Sequence, residues 1–175
     1  MLQSKFTAKI TIDVDQPTSN SRATWSGSPL DPDVGHTFIE IEQESTKRIF
    51  GFYPTEGVNP FTSPTDASSL VDDSNHPYDV KVEISVDASR LANVLNLAKN
   101  TPATYDLNTY NCTDFGIALS AGAGYVLSDK NGSWPGGGGS NPGDLGQEIR
   151  LLASSYNVVI TKTSGNAPSN SGTCN

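Results

Sequence analysis

Cys112 follows Asn111 in the stretch Asn111-Cys112-Thr113-Asp114-Phe115, and that order sets up a nucleophile. Asn is a favoured helix N-cap, and the stripe Phe115, Ala118, Leu119, Gly122 predicts a helix from there through about Ala123. In its first turn Cys112 meets unpaired backbone N–H groups and the positive end of the macrodipole, which favour a thiolate. The same N–H groups can donate to an oxyanion forming on an attacked carbonyl. A thiolate so placed needs an imidazole to hold its proton and later pass it to a leaving group. His36 is the candidate, because it opens a strand whose edge can lie beside that helix. The plain alternative is a cysteine that only packs and a histidine that only starts a strand.

Other chemistry has little to work with. Two cysteines, Cys112 and Cys174, make neither a disulfide framework nor a thiolate zinc cluster, and two histidines, His36 and His76, make a poor metal site. No metal or organic cofactor is implied. A single Cys112–Cys174 bridge and a free thiol in a loose tail both stay open. Asn111-Cys112-Thr113 and Asn131-Gly132-Ser133 match the glycosylation pattern, in a chain so rich in Asn, Ser and Thr that chance accounts for them.

The elements that must position the pair follow from periodicity. Lys5 to Asp15 alternates with Phe6, Ala8, Ile10, Ile12 and Val14 on one face, a half-exposed strand. His36 to Gln43 and Arg48 to Tyr53 read as a hairpin around Glu44-Ser45-Thr46-Lys47. In that hairpin Ile39, Ile41, Phe50 and Phe52 share one face, and His36, Glu40 and Tyr53 share the other. Tyr78 to Val86 is a further strand, with Val80, Val82, Ile84 and Val86 inward. Asp87 caps a helix through Leu91, Val94, Leu95 and Ala98 that ends at Asn100-Thr101-Pro102. Asn141-Pro142 starts a third helix, cap then proline, and Asn157 to Thr163 is a last strand. Between them lie three long loops, Gln16–Gly35, Pro54–Pro77 with its acidic Asp72-Asp73, and Ser128–Ser140, which reads as flexible. Ser164–Asn175 reads as a polar tail and His76 as a solvated loop residue. The class is α+β, an antiparallel sheet with about three helices.

The 175 residues bound the chain to one domain, 35% hydrophobic, enough for one modest core. A net charge of −8 excludes an electrostatic nucleic-acid binder, which needs a basic face. No apolar run is long enough for a membrane helix, and the first residues show no leader h-region. Nothing sets an oligomeric state.

The spacing Tyr105, Leu107, Asn111, Cys112, Phe115 resembles the nucleophile segment of the lecithin:retinol acyltransferase family, circularly permuted relatives of the papain-like NlpC peptidases. That pattern reads Tyr, any residue, Leu, three residues, Asn-Cys, two residues, Phe. Permutation requires His before Cys, and Gly35-His36-Thr37-Phe38-Ile39 opens a strand upstream; Phe52-Tyr53-Pro54 is similar to the end of the family's next strand. The resemblance runs from Gly35 to Phe115. It implies a permuted papain-like (NlpC-type) fold, Cys112 as nucleophile, His36 as general base, and a thioester acyl-enzyme resolved by water or by an acceptor. The family's third polar residue, often a second His on the next strand, aligns here with Gly51. Tyr53 and Glu40 are the candidate substitutes on the His36 face, and Tyr105 is the candidate for aiding the oxyanion or packing beneath the helix.

The expected function is therefore a cysteine amidase or peptidase acting on a peptide or cell-wall-type amide. The three loops would wall its cleft. An acidic composition rich in Asn, Ser and Thr favours an extracytoplasmic or secreted setting, and nothing from about Gly124 onward matches the family, including its lipid-anchoring tail. The rivals are an acyltransferase on the same fold, a non-catalytic binding module that has lost the third residue, and an effector that deamidates or cleaves a protein. An inert Cys112 would favour the binding module.

Overall fold

A computed structural model describes residues 6–29 and 31–173. Strand β1 (Ala8–Asp15) leads to a small hairpin, β2 (Ser26–Ser28) and β3 (Asp31–Asp33), and then to the central hairpin, β4 (His36–Gln43) and β5 (Thr46–Pro54). β6 (Thr65–Asp72) runs back along β5, and the short β7 (Pro77–Tyr78) precedes β8 (Val80–Val86). Helix α1 (Ala88–Lys99), β9 (Thr104–Asp106) and α2 (Cys112–Gly122) follow. A second small hairpin, β10 (Gly132–Trp134) and β11 (Gly137–Gly139), precedes α3 (Pro142–Leu151), β12 (Val158–Thr161) and β13 (Gly165–Asn166).

Seven strands form one antiparallel sheet in the order β12-β8-β1-β4-β5-β6-β9, and with the three helices the fold is α+β. Alternation fixes which side of the sheet is dry. Ile10 pairs with Ile41 and Ile84, and Ile12 with Ile39 and Val82, so one face is a continuous aliphatic surface. Helices α1, α2 and α3 cover it with Leu91, Val94, Phe115, Leu119, Leu145 and Ile149. Each helix begins at its expected cap, because a cap is a local side chain–backbone exchange. Asp87 accepts from Arg90 N–H at 2.9 Å and Asn141 from Asp144 N–H at 2.9 Å, with Pro142 in the first turn.

Three expectations about irregular segments fail. Pro54–Pro77 is no single loop, since its second half is β6, which shows almost no apolar alternation and is set by its ladder to β5. Ser128–Ser140 is ordered as the β10–β11 hairpin. The segment from Ser164 is not a loose tail: β13 pairs with β7, Ala167 is buried, and Asn170 Oδ1 accepts from Ile49 N–H at 2.7 Å. Phe38, Ile49 and Ala167 form a second small core on the face opposite the helices.

That second face also holds a buried acid cluster. Asp13 is fully buried, neither of its oxygens meets a donor at good hydrogen-bond geometry among the described residues, and the Glu40 carboxyl and Lys81 lie beside it. Burial first, then the Glu40 charge, pushes the Asp13 carboxyl well above the usual range. A raised folded value means the proton is held more tightly in the folded chain. The stability this confers is full below about pH 4, the unfolded value, and is lost as pH rises towards the folded one. Asp13→Asn is therefore expected to stabilise the protein at pH 8 by about 1–3 kcal/mol and to give no gain at pH 4. Thermal unfolding at the two pH values checks this; an equal shift at both would show that the charge is irrelevant.

Candidate active site

The start of α2 is fastened on both sides. Asn111 Oδ1 accepts from Thr113 N–H at 2.8 Å while Asp114 accepts from Asn111 N–H at 3.0 Å, a closed capping box. The Asn111 amide also donates to the carbonyls of Leu107 (3.1 Å) and Ser140 (2.8 Å). Cys112 is thus the first residue of the helix, buried, with a free thiol. Cys174, the other end of the considered bridge, lies outside the described residues. Asn111 itself is buried and consumed by the cap, which leaves no amide for a glycan.

The sheet opens where the cysteine arrives. β4 pairs with β5 only as far as Phe38 opposite Gly51, yet β4 continues against β1 to His36 and β5 continues against β6 to Pro54. Thr37 N–H is therefore free of the β5 ladder, and it faces the Cys112 sulfur closely enough to lower the thiol pKa. The His36 imidazole and the Tyr105 hydroxyl act on the same sulfur in the same direction. Thr37 Oγ1 lies 3.2 Å from Thr113 Oγ1, tying strand to helix at this point.

On its other side His36 meets a carboxylate. His36 Nε2 is 3.1 Å from Asp73 Oδ2, and both side chains are buried. Tyr53 donates its hydroxyl to Asp73 Oδ1 at 2.6 Å, and its ring lies 4.3 Å from the imidazole, centroid to centroid. With Nε2 occupied by Asp73, Nδ1 is the nitrogen left for the thiol. Asp73 stands just past the end of β6, its N–H donating to Ile49 O at 3.3 Å. A Cβ at position 51 would stand 2.2 Å from Asp73 Oδ2 and 2.3 Å from His36 Nε2. Glycine there is what allows carboxylate and imidazole to meet. The residue that looked missing from β5 is instead room for one delivered from β6.

The sequence expectations divide accordingly. Cys112, His36, Tyr53 and Tyr105 are brought together. Glu40 is not: it lies four residues along β4 from His36, in the cluster with Asp13 and Lys81, whose Nζ is 3.8 Å from Glu40 Oε1. His76 is not a solvated loop residue either. Its ring stands edge-on to His36 (5.4 Å) and Phe38 (5.0 Å), with Nε2 3.4 Å from Asp15 Oδ2 and Nδ1 3.8 Å from Asp73 Oδ1. The former tail holds it there, Ala167 N–H donating to His76 O at 2.9 Å. Asp73 was missed as a partner; the only mark it left in the sequence was its place in the acidic pair Asp72-Asp73.

The electrostatics favour an ion pair. Burial depresses the imidazole, but hydrogen bonds from Asp73 and Cys112 outweigh it and raise His36 to about 9. Burial raises the Cys112 thiol, but the His36 hydrogen bond and charge, with Thr37 N–H and the Tyr105 hydroxyl, bring it below its ordinary value. Tyr53 and Tyr105 are both raised, by burial first, and stay protonated donors. The Cys112 backbone amide opposes the rise of Tyr105, so hydroxyl and amide lie near one another beside the sulfur.

The pair opens into a cleft of about 550 Å3. Its floor includes His36, Phe52, Tyr105 and Cys112, and its walls are parts of the three segments expected to border it. The glycines of the third wall are there for close approach: a Cβ on Gly137 would stand 1.9 Å from Asn108 Oδ1, and Gly138 N–H donates to that oxygen at 3.2 Å. Among the described residues no group of three or more His, Cys, Asp and Glu is placed to hold a metal ion, and no helix is long and apolar enough to cross a membrane. No family model, no curated protein and no solved structure matches this chain.

Proposed function

We propose that this chain is a cysteine hydrolase of the permuted papain-like class, cutting amide bonds through a thioester on Cys112. One observation carries the reading: the His36 imidazole is bonded to the Asp73 carboxylate at 3.1 Å and lines the same cleft as the Cys112 thiol, whose proton it holds in common. A histidine that merely packs does not gather both partners in a buried site. The order His before Cys, and a nucleophile on a helix start facing an antiparallel sheet, agree with the permuted arrangement. Asp73 supplies the third polar member whose absence was the argument for a non-catalytic binding module.

The chemistry follows from the positions. The thiolate adds to the amide carbonyl carbon, and the oxyanion forms beside Cys112 N–H and the Tyr105 hydroxyl. His36 gives its proton to the departing nitrogen, the C–N bond breaks, and the acyl group stays on sulfur. Water then attacks, leaving a proton on His36; the C–S bond breaks and the carboxylic acid leaves. An acceptor amine or alcohol in place of water would make the same site an acyltransferase.

The test is an acyl-enzyme trap. A small activated ester, p-nitrophenyl acetate, is expected to give a burst of nitrophenol and a transient acetyl mass increment on the Cys112 peptide. No increment at Cys112, with turnover unchanged in Cys112→Ala, would sink the reading. Within it, Asp73→Ala is expected to lower kcat/KM by about 10²–10³, because nothing then fixes the imidazole or offsets its charge. Asp73→Asn, whose amide oxygen still accepts from Nε2–H, should lose only about tenfold and move the alkaline limb of the pH–rate profile to lower pH. Equal losses for the two variants would mean that Asp73 acts only through packing.

A further inference from the structure

The lining of the cleft has a character that the dyad does not require. In a chain with 30 formally charged residues, 11 basic and 19 acidic, none of the described residues that line it is Asp, Glu, Lys or Arg. The chain has two tryptophans, Trp25 and Trp134, and both are in the lining. Val34, Val58 and Phe61 add to them, with prolines between. Several of these are left open to solvent, Trp25 by 40%, Val34 by 49% and Phe61 by 70%. Exposed apolar side chains gathered around a reactive thiol mark a surface that a ligand covers.

The walls also touch one another. Thr24 Oγ1 donates to Ser133 O at 3.3 Å, which brings the segments bearing Trp25 and Trp134 together. At the other end of the β10–β11 hairpin, a Cβ on Gly136 would stand 2.6 Å from Pro60 O and 3.3 Å from the Phe61 ring. The hairpin therefore bridges from the first wall to the second beside the nucleophile. It also carries a donor that is not used: the buried indole N–H of Trp134 has no hydrogen-bond acceptor among the described residues. A hydrocarbon chain leaves that N–H unsatisfied, whereas a peptide brings carbonyl oxygens that can accept from it after a small swing of the ring.

We infer that the substrate of this site is an uncharged peptide segment with aromatic or bulky aliphatic side chains on the residues flanking the cut. The inference rests on the hydrolase reading and narrows it. Cell-wall stem peptides carry carboxylates and free amines, for which this lining offers no ion pair. A charged side chain entering here gives up its hydration with no compensation, so discrimination comes from exclusion as much as from attraction.

Because both tryptophans are in the lining, their fluorescence reports occupancy without any turnover. The Cys112→Ala chain is titrated with four probes: acetyl-Ala-Phe-Phe-Ala-amide, the Glu-Glu and Lys-Lys analogues, and lauroyl-glycinamide. The Phe-Phe peptide is expected to give a saturable blue shift with a Kd at least tenfold below those of the two charged peptides. Phe61→Ala, at a side chain too exposed to matter for folding, and Trp134→Ala should each weaken that binding about tenfold. The inference is overturned if the charged peptides bind as tightly, if only lauroyl-glycinamide shifts the emission, or if no probe does. Its failure is separable from failure of the hydrolase reading, since the acetyl adduct on Cys112 needs neither wall.

Discussion

At pH 6.5 Cys112 is expected to react with iodoacetamide at least about 10² faster than glutathione, and His36→Ala to abolish that advantage. The reason lies in which terms oppose each other. Burial alone would push this thiol up and silence it; the imidazole hydrogen bond and charge, Thr37 N–H and the Tyr105 hydroxyl turn the sum downward. Removing His36 takes away the largest favourable contribution and leaves the burial. The same variant, like Cys112→Ala, is expected to cost at least about 10³ in turnover of any amide or ester the protein accepts. The pH–reactivity curve should rise below the ordinary thiol value and change again near pH 9, where His36 loses its proton. A Cys112 that alkylates no faster than glutathione at pH 6.5 would leave the ion pair without support.

The two shifts enter the pH dependence of stability with opposite signs. His36 is raised on folding, so its contribution is full below about pH 6.5, its unfolded value, and is lost as pH rises through about 9. Cys112 is lowered on folding, so its contribution is present above the unfolded thiol value of about 8.5 and is lost as pH falls. The two contributions change in opposite directions with pH, so alkylation of the thiol itself is the more direct measurement of the pair.

What could be read from the sequence was what is decided locally. Asn111, Asp87 and Asn141 announce helix starts because each cap exchanges hydrogen bonds with residues two or three positions away. The faces of β1, β4, β5 and β8 follow from a period of two, which put His36 and Tyr53 on one side of the sheet, while the Asn111 cap put Cys112 at a helix start. Asp73 was illegible for the opposite reason. It is 37 residues from His36, and β6 before it, Thr65–Asp72, has no alternation to betray a strand. Glu40 was misassigned because sharing a strand face with His36 says nothing about distance along it. The segment after Ser164 looks like a tail in composition, and its order comes from hydrogen bonds to the Asp73–His76 turn and to β5.

Gly51→Ala is the variant expected to lose as much activity as removing Asp73, about 10²–10³ in kcat/KM, although it deletes nothing. The new methyl carbon would lie 2.2 Å from Asp73 Oδ2 and 2.3 Å from His36 Nε2, where no relaxation of one partner suffices. Asp73 cannot swing away cheaply, since Tyr53 holds its other oxygen at 2.6 Å. His36 cannot retreat without leaving the Cys112 sulfur. The 3.1 Å bond between them therefore breaks, and the imidazole loses both its orientation and the charge that kept it protonated. In ordinary sheet positions Gly→Ala is neutral or mildly stabilising, because alanine restricts the unfolded chain. Loss of function without loss of fold would thus be specific to this crowding. Gly51→Ala combined with Asp73→Ala should be no worse than Gly51→Ala alone, because the methyl group still meets His36 after the carboxylate is gone. If Gly51→Ala instead retains activity while Asp73→Ala does not, the imidazole and carboxylate have more room than their contact implies, and the placement of the third member on β6 would need another explanation.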